Sequence, residues 1–120
     1  MRFVRFAAAA ALMTLTRCVA SGTPKVQVAT PPVPTNAHQV VIFDYKFAPQ
    51  ALTVPAGTTV TWVNHDLAPH TATHRSFGDA AFDSGSLVNN QAFSREFGTA
   101  GTYAYLCIFH QGMTGTIVVQ

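Results

Sequence analysis

Short runs of β-branched and aromatic residues, separated by Gly, Pro, Asn and Asp, extend from His38 to the last residue of the sequence. Runs of this kind predict strands, and no segment keeps a helical period over three turns. The main predicted strands cover residues 40–45, 58–63, 70–75, 92–97, 102–107 and 114–119. Shorter extended pieces are predicted near residues 52–54 and 81–82.

This pattern predicts one all-β domain, because short, closely spaced strands without a long helix are typical of an antiparallel sandwich or barrel. Strand alternation puts Val60 and Trp62 on one face and the neighbouring threonines on the other. A domain of about 85 residues has a modest core, and a bound metal ion would add to its stability. The aromatic residues predicted to fill the core are Phe43, Phe47, Trp62, Phe82, Phe93, Phe97 and Tyr103.

The N-terminal residues have the pattern of a secretory signal peptide. Arg2 and Arg5 flank the start of a mainly apolar run over residues 6–15, which small residues follow. The run is about half as long as a membrane-spanning helix requires, so residues 1–20 predict a signal peptide and no transmembrane segment. Cleavage after Ala20 fits the small residues at that point. The sequence up to Cys18 also resembles a bacterial lipoprotein box, in which that cysteine would carry a lipid anchor.

Residues 21–36 contain four of the seven prolines and few large apolar side chains. They predict a Pro-rich linker ahead of a domain over residues 37–120. Without residues 1–20 the chain has four basic and five acidic side chains, a net charge of −1. This balance does not predict a nucleic-acid-binding surface.

Only one cysteine, Cys107, remains once Cys18 is assigned to the leader. An exported protein meets an oxidising compartment, where a lone thiol is protected by burial or by a metal ion. Cys107, His110 and Met113 follow one another at steps of three residues. Zinc sites rarely use a thioether, whereas thiolate, thioether and imidazole together are ligands that suit copper. The segment therefore predicts a copper site.

A further histidine ligand has to come from elsewhere in the chain. His70 lies at a loop-to-strand junction that a sandwich could bring beside residues 107–113. His74 could not share one ion with it along a strand, because four residues span about 13 Å and each ligand lies about 2 Å from a metal. His65 and His38 are better interpreted as surface residues. Spacing alone favours His70 only slightly.

Two separated motifs resemble the cupredoxins, the blue copper proteins. The first is Phe47-x-Pro49-x-x-Leu52-x-Val54-x-x-Gly57-x-x-Val60-x-Trp62-x-Asn64-x-Asp66-x-x-x-His70. The second is Tyr103-x-Tyr105-x-Cys107-x-x-His110-x-x-Met113-x-Gly115, and Phe82-Asp83-Ser84-Gly85 lies between them. The two-residue gap between His110 and Met113 resembles the amicyanin-like branch. Ile108-Phe109 departs from the small residue and proline often found after the cysteine.

The resemblance implies a Greek-key β-sandwich with one type 1 copper ion that cycles between Cu(I) and Cu(II). Carried over residue by residue, it gives His70, Cys107 and His110 as equatorial ligands and Met113 as the weak axial ligand. Thr71 is expected to hydrogen-bond to the cysteine loop, and Asn64 to stabilise its own turn. Ala68, Pro69, Phe109 and Gly112 would form an apolar docking rim, with inward packing of Phe109 as the alternative.

These expectations predict an exported electron carrier, periplasmic or attached to the envelope, that exchanges one electron with transient redox proteins. The alternative is a copper-binding or trafficking protein of the envelope, which would use the same ligands. Nothing beyond the copper cluster resembles catalytic machinery, so the sequence does not predict an enzyme.

Overall fold

The computed structural model describes residue 30 and residues 32–76 and 78–120. The predicted signal peptide, Cys18 and the first part of the predicted linker lie outside these residues. Residues 32–38, which include the end of the linker, are turn and coil ahead of the first strand.

Nine strands form the domain in the part of the chain that is described. They are β1 (Gln39–Phe43), β2 (Lys46–Ala48), β3 (Ala51–Val54), β4 (Thr58–Asn64), β5 (Thr73–His74), β6 (Phe82–Asp83), β7 (Ala92–Phe97), β8 (Gly101–Leu106) and β9 (Thr114–Val119). One 3-10 turn, Gly78–Ala80, precedes β6. Among these residues no helix is both long enough and apolar enough to traverse a bilayer.

The strands form two facing sheets, in the orders β2-β1-β4-β7 and β3-β9-β8-β5-β6. This confirms the predicted all-β Greek-key sandwich. The expectation of purely antiparallel pairing was wrong, because β1 pairs with β4, and β3 with β9, in parallel. Parallel neighbours need a long connection. Here the chain crosses to the other sheet between each such pair, so local spacing does not reveal the pairing.

The predicted strand over residues 70–75 was also wrong in extent, since only Thr73 and His74 are in β5. The residues before Thr73 form hydrogen bonds with segments other than the neighbouring strands of β5. His70 makes an isolated bridge with Leu87, and the backbone N–H of Thr71 donates to the Cys107 sulfur. The segment is therefore a loop whose polar groups are committed to other parts of the fold.

The sequence reading missed β2 and the tight turn before it. β1 ends at Phe43, which pairs with Lys46, so Asp44 and Tyr45 form a two-residue hairpin turn. Both turn residues have left-handed backbone angles, with φ of 50° and 57°. Such turns favour Asn and Gly, so a run ending in Asp-Tyr gives no turn signal and resembles a continuous strand.

Trp62 lies at the centre of the core between the sheets. It is fully buried with Val60, as strand alternation predicted. Its ring centroid lies 5.5 Å from Phe82 and 5.5 Å from Tyr105. The aromatic core was predicted correctly except for Phe43, which is half-buried outside the main apolar cluster at the end of β1.

Gly115 in β9 allows the ring of Tyr105 to lie directly against the backbone. A methyl group at residue 115 would lie 2.4 Å from Tyr105 Cζ. Both residues are buried, so the ring has little room to move.

We expect Gly115→Ala to lower the free energy of unfolding by about 1–3 kcal/mol through overpacking. Urea unfolding of the copper-free domain measures the change. Gly98→Ala is the matched control, since a methyl group at residue 98 meets nothing within 4 Å. Equal stability of the two variants would contradict the close contact.

Candidate metal centre

The structure brings His70, Cys107 and His110 together at one end of the sandwich. Their donor atoms all lie within 4.8 Å of one another. The sulfur of Cys107 is 3.7 Å from Nδ1 of His70 and 3.4 Å from Nδ1 of His110. Cys107 and His70 are buried, whereas His110 is half-buried at the edge. Two imidazole nitrogens therefore face one buried thiol.

The loop between β8 and β9 carries Cys107, His110 and Met113, and backbone hydrogen bonds close it on itself. The N–H of Cys107 donates to the carbonyl of Met113 over 3.0 Å, and the N–H of Met113 donates to the carbonyl of His110 over 3.3 Å. Gly112 supplies the left-handed residue that the turn requires, with φ of 82°. The side chain of Met113 is buried in the same apolar cluster as Cys107.

Thr71 joins the histidine loop to the cysteine loop. Its backbone N–H donates to the Cys107 sulfur at 3.4 Å. Its hydroxyl oxygen accepts a hydrogen bond of 2.9 Å from the N–H of Ile108. The predicted contact of Thr71 with the cysteine loop is confirmed. Because both bonds are to the loop's first residues, they fix the position of the thiol relative to His70.

Asp66 holds the imidazole of His70 from the other side. Its Oδ2 atom lies 2.8 Å from Nε2 of His70, so a proton on Nε2 leaves Nδ1 with a free lone pair facing the thiol. Burial raises the pKa of Asp66, but hydrogen bonds from the backbone of Tyr45 and Asp44, and from His70, together lower it below its usual value. Burial lowers the pKa of His70 despite this carboxylate. The buried imidazole is thus kept neutral, as metal ligation requires.

Asn64, at the end of β4, stabilises the loop that leads to His70. Its side-chain nitrogen donates to the carbonyls of Ala68 and Leu87, over 2.9 and 2.8 Å. Its side-chain oxygen accepts the N–H of Asp66 over 2.8 Å. The predicted role of Asn64 in stabilising its own turn is confirmed. The hydrogen bond to Leu87 shows that Asn64 also holds a second, distant segment.

The remaining histidines lie outside the donor cluster. The Nδ1–H of His74 donates to the carbonyl of Ala104, and the His74 ring stacks on Phe82 with a centroid distance of 5.6 Å. His65 and His38 are half-buried and contribute no donor to the cluster.

Tyr45 lies against two of the donor histidines, a position that the sequence pattern did not predict. Its ring centroid lies 5.3 Å from that of His70 and 4.9 Å from that of His110. The ring reaches the histidines because Tyr45 lies in a two-residue turn, and hydrophobic periodicity does not predict that turn.

The surface near His110 carries exposed apolar residues together with the polar side chains of Arg75 and Gln111. Phe109 is 53% exposed, which excludes its inward packing. Pro69 and Gly112 are exposed and Ala68 is half-buried, as a rim would require. Leu67 and Ile108 add further exposed apolar side chains.

The donor set fits a copper ion. A buried thiol faces two neutral imidazole nitrogens, and a thioether residue is buried on the same loop. Thiolate, imidazole and thioether are the ligands that copper prefers in such sites, and a carboxylate is absent from the cluster among the described residues. The fold and this donor set define a protein of the cupredoxin class.

Comparison with known proteins identifies the family. Residues 35–120 match the model of the copper binding proteins of the plastocyanin/azurin family. Over the whole length of both chains, the protein is 34% identical to amicyanin-alpha of Methylorubrum extorquens. It is 39% identical to the plastocyanin of Scenedesmus fuscus over 62% of this chain and 86% of that one. A solved amicyanin variant in its reduced state superposes with a TM-score of 0.67 and 38% identity, covering 73% of this chain and 86% of the other.

The chain therefore belongs to the plastocyanin/azurin family of copper binding proteins, and its cofactor is copper.

The lowered pKa of His70 predicts that the copper-free domain loses stability in mild acid. The unfolded chain has the ordinary histidine pKa of about 6.5, so it takes up a proton at a higher pH than the folded state does. The free energy of unfolding should fall as the pH decreases below about 6.5. Urea unfolding between about pH 7.5 and pH 5 measures this slope, in a range above the titration of Asp66.

His70→Gln is the comparison variant, since it removes the titrating group and keeps a polar side chain. Its stability should change less over the same pH range. If the free energy of unfolding of the variant depends on pH as steeply as that of the unmodified domain, His70 is not the group responsible.

Proposed function

We propose that this protein is an exported one-electron carrier with a single type 1 copper site held by His70, Cys107, His110 and Met113. The observation that carries the proposal is the convergence of two imidazole nitrogens on one buried thiol, within 4.8 Å. Family membership supports it independently, because the match over residues 35–120 spans both donor loops.

When bound, copper supplies a centre that takes up and gives back one electron. The protein supplies a set of donors that is held in place. Cys107 binds as the thiolate, and the N–H of Thr71 stabilises negative charge on the sulfur. Asp66 orients His70, and the backbone bonds between Cys107 and Met113 fix the shape of the loop. Small rearrangement between redox states follows from these restraints, and it favours fast electron exchange.

Electrons enter and leave at the exposed edge of His110. The imidazole is half-buried, and Phe109, Pro69 and Gly112 around it are exposed. Exposed apolar residues at such an edge support brief contacts with partner proteins. We assign the partners to the class of transient redox proteins, an electron donor and an electron acceptor.

We further infer that residues 1–20 direct export and that residues 21–36 link the leader to the domain. Lipid attachment at Cys18 is the alternative to cleavage after Ala20. The apolar run and its flanking arginines support the export leader, and the prolines of residues 21–36 support the linker. We assign the carrier to the periplasm or to the cell envelope on this basis.

Copper trafficking is the alternative function for the same donors. The burial of Cys107 and the double restraint by Thr71 favour retention of the ion over its release. No described group outside the copper cluster suggests a catalytic role, and we assign no enzymatic activity.

We expect the copper-loaded protein to show an intense thiolate-to-copper absorption band that bleaches on reduction. Cys107→Ala should lose the band, because the thiolate that donates the charge is removed. Visible spectroscopy measures both. Ile108→Ala is the matched control, since it changes the same loop and leaves all four proposed donors. An unmodified protein that binds copper without this band would refute the type 1 site.

Carrier and trafficking functions predict different behaviour on redox cycling. A carrier should keep its copper through repeated oxidation and reduction in the presence of a copper-free acceptor protein. Copper content before and after cycling measures retention. Rapid loss of copper to the acceptor would support trafficking instead.

A further inference from the structure

We propose that Tyr45 is a positioning residue of the copper site, whose ring holds the imidazoles of His70 and His110 in place and shields them from water. The proposal rests on the proposed function, because it concerns the same donors. It adds a third loop, the β1–β2 turn, to the two that carry these donors.

One aromatic ring contacts both imidazoles edge-on. The planes of Tyr45 and His70 meet at 83°, and those of Tyr45 and His110 at 87°. The two imidazole centroids are themselves 4.7 Å apart. Edge-to-face pairs at 4.5–7 Å are attractive. A rotation of either imidazole would therefore break a favourable contact with Tyr45.

The backbone of Tyr45 is held in a conformation that its side chain disfavours. A φ of 57° is uncommon for a bulky residue, and two-residue turns of this kind favour Asn or Gly. Unfavourable backbone conformations of this type concentrate at functional sites. An aromatic residue at this point is thus explained by what its ring contacts.

Asp66 sets the position of the turn. Its two carboxylate oxygens accept the N–H groups of Asp44 and Tyr45, over 2.8 and 2.9 Å. The same carboxylate lies 2.8 Å from Nε2 of His70. One side chain therefore fixes both the imidazole and the turn that carries the covering ring.

The ring also forms part of the barrier to water. Tyr45 is 52% exposed, whereas His70 beneath it is 0% exposed. Water near the site stabilises the oxidised form, which carries one more positive charge than the reduced form. Loss of the ring should therefore lower the reduction potential, and imidazoles with more freedom should release copper faster.

Two variants distinguish the effect of the Tyr45 ring from the effect of the turn conformation. Tyr45→Phe keeps the ring, and Tyr45→Asn removes it while keeping a residue that tolerates the left-handed conformation. In the copper-free protein, imidazole proton shifts of His70 and His110 in NMR spectra should show the ring current of residue 45. The shifts should persist in Tyr45→Phe and be lost in Tyr45→Asn.

In the copper-loaded protein, Tyr45→Asn should have a lower reduction potential. A chelator should remove Cu(I) from it about ten times faster. Tyr45→Phe should resemble the unmodified protein in both measurements. Val33→Asn is the surface control, because Val33 is 81% exposed and lies ahead of the first strand, outside both donor loops.

Unchanged potential and release rate in Tyr45→Asn, with the blue band intact, would overturn this proposal and leave the proposed function standing. A change confined to the rate of electron exchange with a partner would also overturn it, since the ring would then be a docking contact. Absence of the blue band in the unmodified protein would instead refute the proposed function.

Discussion

The link between the Thr71 backbone and the first residues of the cysteine loop is the interaction on which the donor cluster depends. Cys107 and His70 are 37 residues apart and belong to loops with no strand pairing between them at that point. Thr71 provides one donor to the sulfur and one acceptor for Ile108. The same hydroxyl also accepts a hydrogen bond of 3.0 Å from the hydroxyl of Thr73. Thr71 thus connects β5, its own loop and the cysteine loop, and it favours this relative position of the two loops.

Around this link, polar side chains at the end of β4 form a continuous chain of hydrogen bonds. Asn64 holds the backbone near Ala68 and Leu87, and it accepts the N–H of Asp66. Asp66 in turn orients His70 and the β1–β2 turn. The sandwich core supplies rigidity, while these few polar groups determine which lone pairs face the thiol. The site is therefore specified by residues that are not themselves proposed ligands.

The sequence predicted the fold class, most strands and the local part of the site, because these depend on short-range patterns. Cys107, His110 and Met113 stand at fixed spacing on one loop, so no tertiary information was needed to group them. His70 gained only a small lead from spacing, and the cupredoxin resemblance selected it. The shortened β5, the parallel pairs and Tyr45 were missed because each depends on distant partners: Leu87 and Cys107 for the loop at His70, a crossover for the parallel strands, and Asp66 for the turn.

The place of β9 within its sheet has a consequence for the order in which this protein acquires its metal. β9 lies between β3 and β8, parallel to the first and antiparallel to the second. The loop bearing three of the proposed ligands comes before β9 in the chain. β9 forms a local hairpin with β8, but its pairing with β3 spans a long sequence separation, and such pairings form slowly. A nascent or translocating chain that stops short of β9 already contains all four proposed ligands, yet lacks the framework that brings them together. The donor cluster is therefore expected to assemble only once β9 has paired with β3 and β8.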